Sequence, residues 1–178
     1  MASIALLLAV VPACTERATS STDDVRLSSE NALVLISLTL YLPPEITEAR
    51  LPDPQVLATY TQALTDAANE TLAARPPHIG TSGTLIVVVK PGSRSRAWVV
   101  TGGEGLPHEM VSAAESALQA VPAPSVSGPI MLGIMFDAWG GGTPPANMPY
   151  PLPQEWIEAL PPEGGQIDDA LIMRVWPD

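Results

Sequence analysis

Apolar positions recur along this chain in two rhythms, and their order predicts a set of elements. "ALVLISLTLYL" (Ala32 to Leu42) is nearly continuous in apolar character, carries β-branched residues and stops at Pro43-Pro44. Those features predict a buried central strand. Asp53-Pro54 offers a helix start, because Asp can cap the free amides and Pro is tolerated at the first helical position. Val56, Leu57, Tyr60, Ala63, Leu64, Ala67 and Leu72 then fall near the i, i+4, i+7 spacing of one apolar stripe, and Arg75 with Pro76-Pro77 ends it. "TLIVVVK" (Thr84 to Lys90) and "RAWVVT" (Arg96 to Thr101) flank the turn "PGSRS" and predict a hairpin. A second striped helix is expected from Pro107 to Val121, on Met110, Val111, Ala114, Ala117, Leu118 and Val121. "PIMLGIMFDAW" (Pro129 to Trp139) predicts a strand, Pro153 to Leu160 a short helix, and "DALIMRVW" (Asp169 to Trp176) a closing strand.

This order predicts an α+β fold, a βαββαβ ferredoxin-like plait with an added C-terminal helix and strand. Both long helices would cover one sheet face. Right-handed crossovers would place the first and third strands at the centre. Leu51-Pro52, a striped helix, Gly83 and "TLIVVV" parallel Leu106-Pro107, a striped helix, Gly128 and "PIMLGIMF". The likeness is either an internal duplication or the same capping and strand chemistry used twice.

Ahead of the folded part, Ile4 to Val11 is an unbroken apolar run. It is far shorter than the ~20 residues of a membrane-spanning helix and suits the apolar core of a secretory signal. The run leads to Cys14, the only cysteine. "VPAC" (Val11 to Cys14) resembles the lipobox of bacterial lipoprotein signals. The resemblance implies that Cys14 is acylated and becomes the mature N-terminus, with residues 1–13 as the signal peptide. It also implies a place on the periplasmic side of the bacterial cell envelope, held by lipid. From the residues alone, the other reading is a fortuitous apolar start with a buried or free thiol. "TERATSSTDDVRLSSE" (Thr15 to Glu30) is almost without apolar residues and reads as a tether, so 14–30 is assigned as linker and 31–178 as one domain.

Charge narrows the partners. Eight Lys and Arg against 19 Asp and Glu give a formal charge of -11 over 178 residues. Such a surface repels phosphate backbones and anionic headgroups, which argues against nucleic acid and leaves the lipid anchor as the expected membrane contact. One cysteine cannot form an internal disulfide or a Cys-based zinc site. Neither Gly cluster fits a phosphate-binding or dinucleotide-binding pattern, and no nucleophile elbow occurs. No cofactor and no metal are expected.

Three of the eight cations, Lys90, Arg94 and Arg96, gather at the hairpin. They would form a partner-binding patch for a carboxylate, a phosphate or an acidic surface, or else keep a sheet edge soluble. Asp137 sits at a strand end, where a carboxylate is either perturbed by burial or simply marks the exit into a Gly-rich loop. His78 and His108 have no carboxylate or cysteine at ligand spacing. Residues 83–136 resemble the C-terminal domain of TonB- and TolA-type periplasmic proteins: strand, turn, strand, a helix ending in "P-x-P" (Pro122-Ala123-Pro124) and a last strand. That resemblance implies a small domain that binds partners through a sheet edge. Two functions follow. The first is an envelope lipoprotein that binds a protein or peptide. The alternative is a small-molecule hydrolase whose Asp137, His78 and His108 meet only in the fold.

Overall fold

The computed structural model describes residues 32–161 and 165–177. The expected signal peptide and tether, with Cys14, lie outside the described residues. The apolar runs form β1 (Leu33–Leu40), β2 (Thr81–Lys90), β3 (Arg94–Thr101) and β4 (Ile130–Ala138). They join in one antiparallel sheet of order β1-β4-β2-β3. Between β1 and β2 lie α1 (Pro44–Arg50) and α2 (Pro54–Ala73). Next come α3 (His108–Ala120), between β3 and β4, and then α4 (Gln154–Ala159) and α5 (Asp169–Val175).

The long helices begin where their sequence allows. The Asp53 carboxylate accepts the Gln55 N–H at 2.9 Å, and Pro54 opens the first turn of α2. Tyr60, Leu64 and Leu72 of the expected stripe are buried, and Ala68 rather than Ala67 completes their four-residue spacing. Together with Leu118 of α3 this stripe packs on Leu85, Val87, Val89, Ile130, Leu132 and Ile134. The opposite sheet face carries a second core. There Trp156 of α4 and Leu171 and Ile172 of α5 meet Ile86, Val88, Trp98 and Met131. β2 is buried at every position because both faces are covered. Among the described residues no helix is long and apolar enough to cross a membrane.

The mixed α+β class holds, but the strand order is not that of a ferredoxin-like plait. β4 and β2 are central, whereas β1 and β3, both expected at the centre, form the edges. In both arrangements the β-α-β units skip one strand and the β2–β3 hairpin stays adjacent. The same local pattern therefore serves either interleaving, and packing decides. The closing strand is also corrected: Asp169 to Val175 is helical. The Asp168 carboxylate caps it by accepting the Leu171 N–H at 2.8 Å, and Leu171, Ile172 and Val175 form a helical rather than an alternating stripe. A bidentate pair from Arg50 to Asp169, at 2.7 and 2.8 Å, ties α5 to α1. α1 itself was not expected. Pro43-Pro44 starts this helix rather than merely stopping the strand.

Candidate functional site

β1 has β4 on one side and, among the described residues, no strand on the other. Its sequence between Leu33 and Leu40 contains no charge and no proline, two of the devices that blunt a sheet edge, and a bulge is the one such device it carries. Leu33 is buried, and Leu40 packs against the α2 core. Val34 is 54% exposed and Ile36 51%, and Leu35 and Leu38 are also exposed. A bulge between Leu35 and Ser37 sets Ile36 outside the ladder. One anchor fixes the start of the strand, where the Asn69 side-chain oxygen accepts the Leu33 N–H at 3.0 Å.

At its other end β1 runs into an apolar groove of about 810 Å³, whose lining includes Leu38, Leu40, Tyr41, Tyr150, Leu152 and Ile167. Tyr41 lies across β4 because residue 133 is glycine, and a Cβ there would come within 2.9 Å of the ring. Its hydroxyl donates to the Pro151 carbonyl. Burial first, and Tyr150 second, push the Tyr41 phenol well above its ordinary range, so it stays neutral and serves as packing. Tyr150 meets it edge-on, with centroids 5.6 Å apart, and is itself 52% exposed. The groove offers apolar surface and ring edges. It offers no acid–base pair.

The basic hairpin looks different from its sequence. Either role proposed for the hairpin cations needs an accessible charge, yet Lys90 is 1% exposed. It shares a sheet face with Ile86 and Val88, and its Nζ donates to the Trp176 carbonyl while lying 4.9 Å from that ring's centroid. Arg94 lies 5.9 Å from the same ring, and Arg96 4.9 Å from Trp98 with an ion pair to Glu155 at 3.3 Å. The three cations are thus engaged with the C-terminal segment and α4.

Asp137 is brought to Ser82, whose hydroxyl donates to Oδ1 and accepts the Gly142 N–H at 2.9 Å. This node pins the Gly-rich loop to the sheet. His78 tilts against Trp139 at 6.2 Å, and His108 opens α3. Among the described residues the side-chain partner of Asp137 is Ser82, and no hydrogen bond joins it to His78 or His108. No group of three potential metal ligands occurs among the described residues. The β1 edge and its groove escaped sequence reasoning. The one available signal was an apolar strand that a different strand order leaves uncovered. No known family model, curated protein or solved structure matches the chain.

Proposed function

We propose that this protein is an envelope lipoprotein that receives an extended segment of a partner protein along β1. The exposed, uncharged β1 edge carries this reading. Strand addition supplies backbone hydrogen bonds to a free edge and side-chain contacts on alternate residues. Covering the exposed half of a side chain such as Ile36 releases ~1 kcal/mol, about half the value for full burial. The lipobox-like "VPAC" supports anchoring through Cys14, with the tether holding the domain off the membrane.

Binding can be measured with a nine-residue peptide of alternating Thr and Val, Lys at both ends, N-methylated on alternate amides along one edge. Such a peptide cannot stack on itself but keeps one edge able to pair. Wild-type protein should bind it, and Val34→Lys with Ile36→Lys should weaken binding by more than ~30-fold, as expected for loss of two central apolar contacts. Methylating the remaining edge should abolish binding altogether. Equal affinity for the singly and doubly methylated peptides would show that no strand pairing occurs. For the anchor, Cys14→Ser should move the protein from the membrane fraction to the soluble one. Unchanged fractionation with no lipid mass on the N-terminus would remove that half of the proposal.

A further inference from the structure

Resting on that reading, we infer what the received segment looks like: an apolar centre with one large apolar anchor residue, and cations at its ends. The anchor follows from the groove. It is continuous with β1 through Leu38 and Leu40, and its volume of about 810 Å³ exceeds what a single Val or Thr would fill. Its wall is a half-exposed tyrosine set edge-on to a fixed one, which suits an aromatic ring or a leucine. The cationic ends follow from charge. Glu45 and Glu48 are exposed on α1, which starts at the groove's Pro43–Pro44 rim. At the other end, exposed Glu70 adjoins Asn69, the residue that caps Leu33. The strand between is neutral, and the whole chain carries -11. An acidic segment, or a second copy of this chain, meets repulsion at both ends. β1 spans eight residues, which sets the length of the segment at about the same number.

The test uses the same singly methylated peptide with a guest at one internal position and exchanged ends. With Trp or Leu as guest, wild-type protein should bind ~10-fold more tightly than with Ala, the effect of one buried anchor. In Tyr150→Ala that ratio should collapse to within twofold. Glu in place of the terminal Lys residues should weaken binding ~10-fold at low salt and much less at high salt, because exposed charges are screened. If the peptides bind with no guest preference, or if the preference survives Tyr150→Ala, the anchor assignment is wrong while strand reception stands. If Lys-ended and Glu-ended peptides bind equally, the cationic ends are wrong. If no peptide binds and sedimentation shows a dimer that Ile36→Lys dissociates, the occupant is a second copy and strand reception from a partner fails with it.

Discussion

At the β3 edge, Arg94 and Arg96 place charge along the strand, and Glu115 of α3 accepts the Val99 N–H at 3.0 Å. The Trp98 indole N–H donates to Glu155, and Trp156 stacks edge-on against the same ring at 5.4 Å. The β1 edge, among the described residues, has one amide capped by Asn69 and a bulge, but no charge from Leu33 to Leu40 and no aromatic cover, and Val34 and Ile36 turn to solvent. Among the described residues the sheet closes one edge with charge and an aromatic cover as well as a cap, and leaves most of the other uncovered. An edge of that kind is an aggregation hazard unless something occupies it. Because the molecule uses edge protection where it needs it, the bare edge is the place to look for a partner.

The largest effect should come from breaking the closed side. Trp156 is fully buried and holds α4 against Trp98. Trp156→Ala should cost ~3–5 kcal/mol, the range for removing a buried aromatic, read by urea denaturation. A loss under 1 kcal/mol would mean that α4 contributes little to closing that face.

Next in size is the cap on β3. Glu115→Ala leaves the Val99 amide without its carboxylate and should cost ~1–3 kcal/mol. Amide exchange at Val99 should quicken in step, while Leu33, capped by Asn69, is unaffected. Unchanged exchange at Val99 would show that the edge is closed by something other than this bond.

Much of this was legible beforehand, and the gaps have physical causes. Asp53-Pro54 and the stripe behind it located α2, since cap and periodicity are local properties. "PIMLGIMFDAW" likewise located β4. The rank of β1 in the sheet was not local, because two interleavings of the same units share every turn, cap and stripe. Asp169 to Val175 is short, with an apolar run from Ala170 to Met173, so helix and strand periods compete there until Asp168 is known to cap it. The burial of Lys90 depended on Trp176, eighty-six residues later in sequence, reaching the hairpin. The groove needed Gly133 beneath Tyr41, and that glycine looked in the sequence like any interruption of a strand.

A smaller effect should appear at the groove. Tyr41→Phe deletes the hydrogen bond to the Pro151 carbonyl and should cost ~1–2 kcal/mol at neutral pH. Its pH dependence has a definite sign. The folded-state phenol is raised above its ordinary range, so the folded protein holds this proton more tightly than the unfolded chain does. That contribution is fully present below the ordinary phenol value of ~10 and is lost as pH rises toward the raised one. Wild-type stability should therefore fall above about pH 10, and Tyr41→Phe should make the fall shallower, the buried Tyr60 phenol, also raised, keeping part of it. Parallel alkaline slopes in the two proteins, measured by denaturation at several pH values, would show that Tyr41 is not the group responsible.

The smallest effect on stability should come from the substitutions that matter most for binding. Val34 and Ile36 are half-exposed, and the bulge already removes Ile36 from the ladder, so changing both to Lys should move stability by no more than ~0.5 kcal/mol. The folded protein then has little use for their apolar character, whereas a segment laid along β1 would bury it. Two Lys residues also turn this edge into the charged kind found at β3, so the variant should associate with itself no more than wild type, as read by light scattering. A large loss of stability would instead assign these side chains to the fold and take away the main reason for regarding the β1 edge as a receiving surface.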